Sequence, residues 1–306
     1  MLYGVIDIGS NTVRLTLFDV DHDSHTFSTF FKLKTMAGLV SYIDPKTSNM
    51  SDEGVAKLVK VLKGYLECAA KFRNLETPRA FATAGIRNAK NAEKVIQRVE
   101  RECGISIDLI SGSEEARLGY MGAMLQSKLT TGLQIDVGGG STEVTTFRNG
   151  KLLHSISISQ GSLSLFETYV HELLPAPVEM DRIRSEVRAA IEATPQFKGF
   201  SCQTASGVGG TVRAARRLRD AWMPECASQP NLTIDQIDEV IRNVCYDPYN
   251  ATRTILRVAP ERAHTCIPGL VDVQTVMKCF GVQEIEVHDA GVREGYLLRH
   301  VLKWDK

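Results

Sequence analysis

The stretch IDVGGGSTEV, residues 135–144, decides how the rest of the chain is interpreted. Its apolar start ends in Asp136, three glycines and a serine follow, and an alternating segment, TEVTTFRNGKLLHSISIS, begins at Thr142. Alternation of apolar and polar residues predicts strands, and Asn149-Gly150 predicts a hairpin turn between them. The glycines therefore lie in a turn between two strands. This excludes a dinucleotide fingerprint or a P-loop here, since both need a helix after the glycines.

A second segment near the start of the chain has the same organisation. In GVIDIGSNTVRLTLFDVD, residues 4–21, an apolar strand ends in Asp7, and a turn of small residues leads into another strand. Strand, Asp-x-Gly, polar turn and strand thus occur twice. Two such units facing one another would form a cleft.

Composition limits the classes of function. A chain of 306 residues is long for one hydrophobic core and natural for two domains. With 43% hydrophobic and 24% charged residues it has the composition of an ordinary soluble globular protein. Lysine plus arginine equals aspartate plus glutamate at 36 each, so net charge does not favour nucleic acid or a membrane surface as a partner.

The cysteines and the apolar segments predict a cytoplasmic protein. Seven cysteines are scattered without a C-x-x-C pair, which indicates reduced thiols rather than disulfides or a zinc site. The sequence has no secretory leader pattern at its start, and no apolar run approaches the ~20 residues of a membrane span.

Helices and strands are predicted to alternate, which makes the fold class α/β. Helices are predicted at 51–73 (capped by Ser51), 91–104, 113–126, 162–171, 178–193, 209–222, in three stretches between 233 and 279, and at 291–303; further strands are predicted at 79–85, 105–110, 201–208 and 284–289. The weakest connection, 127–132, places the domain boundary between residues 1–127 and 128–306. Whether the last helix, about 292–303, packs back on the first domain stays open.

Three glycine-containing turns could meet phosphate. Those at 9–12 and 138–142 offer runs of backbone N–H groups that can enclose an anion. The turn SGVGGT places Gly209, Gly210 and Thr211 at the start of a helix, whose N–H groups and dipole also favour anions. The structural alternative for each turn is glycine needed only for backbone geometry.

Two further segments carry candidate charged groups. Arg87 follows a strand in ATAGIRNAKN, where its guanidinium could clamp phosphate oxygens; the alternative is a surface arginine. Glu114 and Glu115 lie in the first turn of a helix, where either could act as a general base toward water. Acids in this position also complement the helix dipole without any function.

Six segments in order resemble one family. They are DIGSNTVRL, ATAGIRNAKN, LISGSEEARLGYMGA, IDVGGGSTEV, GVGGTVRAARRL and DAGVREGYLL, and together they resemble the exopolyphosphatase and guanosine pentaphosphate phosphohydrolase (Ppx/GppA) family. The resemblance implies two ribonuclease H-like α/β domains of the sugar kinase, actin and heat-shock chaperone ATPase superfamily, with the active cleft between them. At this length the chain resembles a short, two-domain member.

The resemblance also implies roles for individual residues. Glu115 would activate the attacking water, with Glu114 as the alternative. Asp136 and Glu143 would hold Mg²⁺ or Mn²⁺, with Asp7 as an additional contact. The implied phosphate-binding residues are Ser10, Asn11, Thr12, Arg87, Gly138, Gly139, Gly140, Ser141, Gly209, Gly210 and Thr211. The sequence departs from the family pattern at Val208 and Gly85, which puts the details of phosphate binding in question.

The implied reaction is hydrolysis of a terminal phosphoanhydride by in-line attack of water. The substrate would be inorganic polyphosphate, with short chains favoured by the length of the protein, or guanosine pentaphosphate, hydrolysed to the tetraphosphate. Two alternatives stay open: an ATP-dependent small-molecule kinase of the same superfamily, and a non-catalytic polyphosphate or alarmone sensor. A homodimer is compatible with a two-domain chain.

Overall fold

The computed structural model describes residues 1–304, in two compact units. The first unit comprises Met1–Ser111 and the chain from Tyr296 onward. Its strands are β1 (Leu2–Ile8), β2 (Thr12–Asp21), β3 (Thr26–Met36), β4 (Arg79–Ala82) and β5 (Ile107–Leu109), and its helices are α1 (Asp52–Ala69), α2 (Ala84–Arg87) and α3 (Ala92–Cys103). The sheet has the order β3-β2-β1-β4-β5, with β1 antiparallel to β2, β2 antiparallel to β3, and β4 and β5 parallel to β1.

The second unit comprises Gly112–Gly295. Its strands are β6 (Gly132–Val137), β7 (Thr142–Arg148), β8 (Lys151–Ile158), β9 (Thr204–Val208), β10 (Leu232–Thr233) and β11 (Glu284–Val287). Its helices are α4 (Gly112–Ala123), α5 (Ser162–Tyr169), α6 (Pro177–Glu192), α7 (Gly209–Trp222), α8 (Ile234–Tyr246), α9 (Pro248–Val258) and α10 (Cys266–Phe280), while α11 (Val292–Tyr296) begins in this unit and continues as a π-helical turn, Leu297–Leu302. The sheet order is β10-β11-β9-β6-β7-β8.

The two sheets share one topology. In each, an antiparallel three-stranded meander (β1-β2-β3 or β6-β7-β8) is extended by two strands parallel to the first, β4 and β5 or β9 and β11. This is the arrangement of a ribonuclease H-like domain, so the predicted fold class of two such α/β domains is confirmed.

The pairing of strands shows how the two sheets, here called the first and second copy of the topology, differ at equivalent positions. Asp7 of β1 lies opposite Arg14 of β2, whereas Asp136 of β6 lies opposite Glu143 of β7. In both copies the aspartate is the second-to-last residue of the strand that precedes the glycine-containing turn. The first copy therefore pairs a carboxylate with a cation, and the second pairs two carboxylates.

Local sequence explains several element boundaries. Asn149 (φ 53°) and Gly150 (φ 71°) form the predicted turn between β7 and β8, with the positive φ angles that a two-residue hairpin requires. The Ser51 hydroxyl accepts a hydrogen bond from the Gly54 N–H (3.2 Å) and caps α1 as predicted. Gly104, at φ 69°, ends α3 in the left-handed conformation.

The boundary between the units lies at residues 111 and 112, before α4 rather than after it. Helix α4 belongs to the second unit because it packs on the sheet of that unit. The Thr145 hydroxyl donates to the Ala116 carbonyl (3.2 Å), and the rings of Tyr120 and Phe147 lie 5.0 Å apart. The predicted boundary at 127 and 128 instead followed the weak connection after α4, which lies within the second unit.

Each unit has its own hydrophobic core. In the first unit it lies between the sheet and helices α1 and α3, and in the second it lies among the sheet and helices α6, α7, α8 and α10. All seven cysteines are free thiols. Within residues 1–304, no helix has both the length and the apolar character needed to cross a bilayer.

Candidate active site

Hydrogen bonds from helix α5 support the glycine turn at 138–141 in the second unit. The N–H of Gly138 donates to the carbonyl of Ser141 (2.9 Å), which closes the turn. The N–H groups of Ser162 and Leu163, at the start of α5, donate to the carbonyls of Gly138 and Gly139 (2.9 Å each). Because these carbonyls are engaged by α5, the shape of the turn is fixed by the protein before any ligand binds.

Gly161 allows α5 to approach the turn this closely. A Cβ at residue 161 would lie 2.5 Å from the N of Ser141 and 2.7 Å from the carbonyl carbon of Gly139. Both neighbours are backbone atoms that cannot move aside without changing the turn. The Gln160-Gly161-Ser162 segment is thus part of the site, and the sequence analysis did not identify it.

Three carboxylates gather beside the turn. Glu143 is 2% exposed and Glu115 9% exposed, while Asp136 is half-buried. Burial raises the pKa of Glu143 well above its usual value, and the nearby charges of Glu115 and Asp136 raise it further. Hydrogen bonds from the hydroxyls of Ser157 (2.7 Å) and Ser141 oppose this rise. Such a cluster of buried acids is costly in isolation and is typical of a site that receives a cation.

The third glycine turn lies next to the same acids. Gly209 has φ +85°, and a Cβ there would lie 2.2 Å from Asp136 Oδ1, so both conformation and space require glycine. Two residues further on, the Thr211 hydroxyl donates to the Val137 carbonyl (2.8 Å). The start of α7 is therefore attached to the strand that carries Asp136.

Arginines surround the start of α7. The position of a Cβ on Gly210 lies 1.9 Å from Nη2 of the buried Arg262, so this guanidinium lies directly on the helix terminus. Burial lowers the pKa of Arg213, and the neighbouring Arg293 and Arg262 lower it too, whereas Asp289 and Asp136 raise it. Arg213 is held by the His288 carbonyl (3.3 Å). The second unit thus has an acidic side and a basic side that meet at Asp136.

The first unit has an equivalent turn. The Gly9 N–H donates to the Thr12 carbonyl (3.0 Å), and the carbonyls of Ser10 and Asn11 accept hydrogen bonds from the N–H groups of Val40 (3.0 Å) and Ala37 (2.9 Å). This turn is closed and supported in the same way as the one at 138–141. Ser10 is buried, while Asn11 and Thr12 are half-exposed.

Arg87 lies at the end of α2 in the first unit. It is half-buried, and its Nη1 donates to the Ile110 carbonyl (3.2 Å). Gly85 in the same helix explains one departure from the family pattern, because a Cβ there would lie 2.5 Å from the Cα of Ser10. A side chain at residue 85 would displace the turn, so glycine here supports the turn's geometry.

The predicted site residues therefore form two groups. The second unit brings together Glu115, Asp136, Gly138, Gly139, Gly140, Ser141, Glu143, Gly209, Gly210 and Thr211, with the half-buried Glu114 in the first turn of α4. The first unit carries Asp7, Ser10, Asn11, Thr12 and Arg87. The sequence analysis missed the arginines. Arg213 and Arg293 stand inside two of the quoted motifs, whereas Arg262 lies in a short turn before α10 and has no local signature.

The chain is similar to known proteins over nearly its whole length. The chain is 24% identical to Exopolyphosphatase 1 of Mycobacterium tuberculosis over 306 residues, which covers 98% of this chain and 88% of that protein. A crystal structure of the Aquifex aeolicus member of the Ppx/GppA family superposes with a TM-score of 0.79 at 26% identity, covering 100% of this chain and 99% of the other.

An exopolyphosphatase structure from Cytophaga hutchinsonii has a TM-score of 0.83 at 19% identity, covering 98% of this chain and 97% of the other, and supports the fold. Residues 20–304 match the sequence profile of the Ppx/GppA phosphatase family. The match spans nearly the whole chain and both ribonuclease H-like domains. This chain belongs to the Ppx/GppA phosphatase family.

Proposed function

We propose that the protein hydrolyses the terminal phosphoanhydride bond of inorganic polyphosphate, with short chains as the preferred substrate. The observation that carries this proposal is the group of Glu115, Asp136 and Glu143 beside a preformed glycine turn. A base, a set of oxygen ligands and a phosphate-sized turn are the parts that phosphoryl transfer to water needs. The similarity of this chain to Exopolyphosphatase 1 of Mycobacterium tuberculosis supports the same choice.

Glu115 is the proposed general base. The water oxygen attacks the terminal phosphorus, the bond to the bridging oxygen breaks, and the water proton passes to the Glu115 carboxylate. The shortened chain leaves with the bridging oxygen. Glu115 is favoured over Glu114 because Glu115 is buried beside the Glu143 carboxylate, whereas Glu114 is more exposed.

Asp136 and Glu143 fit a magnesium ion as a partial ligand set. Within residues 1–304, no group of three or more His, Cys, Asp or Glu side chains is arranged as a full metal cage. Mg²⁺ does not need one, because it is usually held by one or two carboxylates together with water and substrate phosphate. Carboxylate oxygens that repel each other in a buried cluster suit this hard cation, or Mn²⁺. When bound, the ion would neutralise charge on the phosphate oxygens.

The glycine turns and arginines are the proposed phosphate ligands. Gly138, Gly139, Gly140 and Ser141 would hold the terminal phosphoryl group, and Gly209, Gly210 and Thr211 would hold the next one. Arg262, which lies on Gly210, would add charge-assisted hydrogen bonds there. Ser10, Asn11, Thr12 and Arg87 are the proposed phosphate-binding residues of the first unit, and Asp7 is its proposed metal contact.

Phosphate release identifies the reaction. We expect purified protein with Mg²⁺ to release phosphate from short polyphosphate, with lower rates on long polyphosphate and guanosine pentaphosphate, and to lose this activity in EDTA. A kinase would instead consume ATP only with an acceptor. Binding of polyphosphate without release from any of these substrates would contradict the hydrolase and favour a sensor.

Replacing Gly210 tests the arginine side of the site. We expect Gly210→Ala to raise the KM for polyphosphate about tenfold or more, because the new methyl group displaces Arg262 from the start of α7, and a hydrogen bond to a charged group contributes roughly 1.5–3 kcal/mol. The fold should tolerate the change, since the displaced atoms are the tip of a flexible side chain. Steady-state kinetics and thermal unfolding measure both effects.

Gly64→Ala is the matched control. Gly64 lies within α1, and a Cβ at this position would point into open space. This variant should keep the wild-type KM and gain about 0.5–1 kcal/mol of stability from helix propensity. Equal KM values for the two variants would remove Arg262 from the proposed phosphate site.

A further inference from the structure

Helix α10 carries a carboxylate in the interior of the second unit. Asp272 is 0% exposed, and its Oδ2 accepts a hydrogen bond from the Thr142 hydroxyl (2.7 Å). Its Oδ1 has no hydrogen-bond partner among the described residues. Its neighbours along the helix, Val271 and Val273, are also fully buried. Burying a carboxylate in these surroundings costs free energy of folding, so Asp272 is better explained by a role in function than by a gain in stability.

The same part of α10 contacts the elements that form the phosphate turns. One turn before Asp272, the position of a Cβ on Gly269 lies 2.6 Å from Thr211 Cγ2 and 2.8 Å from Ser162 Cβ. Thr211 lies in the first turn of α7 and Ser162 begins α5. Their hydroxyls donate hydrogen bonds to the carbonyls of residues 137 and 138, respectively. Helix α10 is therefore the common support of all these segments.

Thr142, the first residue of β7, connects α10 to this strand through its hydrogen bond to Asp272. It follows Ser141, the last residue of the glycine turn, and precedes Glu143, a proposed metal ligand. The Thr142 side chain is 1% exposed and points to the face of β7 opposite Glu143. Its hydrogen bond to Asp272 has one favourable direction, whereas apolar packing at this point would allow small shifts of the strand.

We propose that Asp272 is a positioning residue for phosphoanhydride hydrolysis. Through the Thr142 hydroxyl it fixes the start of β7, and so sets Ser141 and Glu143 at the distance from Glu115 that the reaction requires. The proposal rests on the proposed function. It adds that activity depends on a buried hydrogen bond that touches neither substrate nor metal.

A pair of variants separates positioning from stability. Thr142→Val keeps the shape of the side chain but leaves Asp272 without a donor, so both stability and kcat should fall, kcat by about tenfold or more. Combining Thr142→Val with Asp272→Leu replaces both polar partners by apolar groups, and the thermal midpoint should return toward that of the wild type. We expect kcat to stay low in this double variant, with KM little changed.

Conservative variants complete the test. Thr142→Ser keeps the hydroxyl and Asp272→Asn keeps an acceptor oxygen, so both should retain most of kcat. Thr146→Val is the matched control: Thr146 lies on the same face of β7, is buried, and its hydroxyl has no hydrogen-bond partner among the described residues. It should leave kcat unchanged.

The outcomes also separate this inference from the proposed function. Recovery of kcat together with stability in the double variant would show a merely structural role and overturn the inference, while the active wild type would leave the hydrolase intact. An Asp272→Asn variant as inactive as Thr142→Val would also overturn the inference, because the acceptor oxygen for the Thr142 hydroxyl would still be present. A wild-type protein that releases no phosphate from any substrate would overturn both.

Discussion

Glu115→Gln is expected to lower the rate of phosphate release by about 10²–10⁴-fold, the usual contribution of a general base. The glutamine keeps the shape of the side chain but cannot accept the water proton. The variant should remain folded and become slightly more stable, because Glu115 is one of the charges that raise the pKa of Glu143. Substrate affinity should change little. Single-turnover phosphate release and thermal unfolding measure these effects.

Glu114→Gln provides the control for this prediction. Glu114 is in the same first turn of α4, is half-buried, and carries the same charge. Its replacement should leave most of the activity. If Glu114→Gln were the inactive variant and Glu115→Gln the active one, the base would be reassigned; if both stayed active, neither glutamate would be the base.

Glu143→Gln is expected to move stability and activity in opposite directions. In metal-free protein it should raise the free energy of unfolding at neutral pH, because burial and the neighbouring carboxylates disfavour the charged form of Glu143. Glutamine removes a buried carboxylate from beside Glu115 and Asp136 and keeps an oxygen that can accept from Ser157. Phosphate release should fall by about 10²-fold or more, because an expected ligand of Mg²⁺ is lost.

The pH dependence of stability gives this prediction a second readout. The pKa of Glu143 is raised in the folded state, so folding binds a proton that the unfolded chain has released. In metal-free wild-type protein this contribution is complete below the unfolded pKa and is lost as pH rises through the folded pKa. Glu143→Gln should therefore gain stability relative to the wild type as pH rises from about 4.5, the usual value for glutamate.

Magnesium should reverse the order of stability. Added Mg²⁺ should stabilise the wild type in a thermal shift titration and have a much smaller effect on Glu143→Gln, because binding to the folded state adds to stability. Glu53→Gln, on the exposed side of the first turn of α1, is a control that should follow the wild type. If Glu143→Gln were less stable than the wild type without metal, repulsion among the three carboxylates would not be the main effect of Glu143 on stability.

The elements that could be predicted from sequence are those whose determinants are local. Helix α7 begins and ends where its composition indicates, at Gly209 and Trp222. Ser51 caps α1, and Asn149-Gly150 turns the hairpin, because a side chain or a positive φ within a few residues decides each of them. The glycine turns at 9–12 and 138–141 were also predictable, since each follows an apolar strand with an aspartate near its end.

The features that could not be predicted depend on contacts distant in sequence. Strand β3, Thr26–Met36, is an exposed edge strand of mostly polar character, and its pairing with β2 defines it more than its own residues do. Helix α4 has no local property that assigns it to the second sheet. Arg262 reaches Gly210 only because the chain folds back before α10.

The catalytic proposal itself followed from six motifs taken together. Their resemblance to the family pattern implied an acid at 115 and two at 136 and 143, but it could not show that Glu143 is buried against the other two. The hydrogen bond between Thr142 and Asp272 could not be predicted either, because the two residues are far apart in the chain.

The two glycine turns share their backbone geometry but differ in the charge that faces the aspartate. Both are closed by the same kind of hydrogen bond, from Gly9 to Thr12 and from Gly138 to Ser141. They differ at the position across the strand from the aspartate, arginine at 14 and glutamate at 143. Opposite charges across the strands favour each other at the first turn, whereas two carboxylates across the strands repel each other at the second. On the proposed function, this single cross-strand difference assigns metal binding to the second unit.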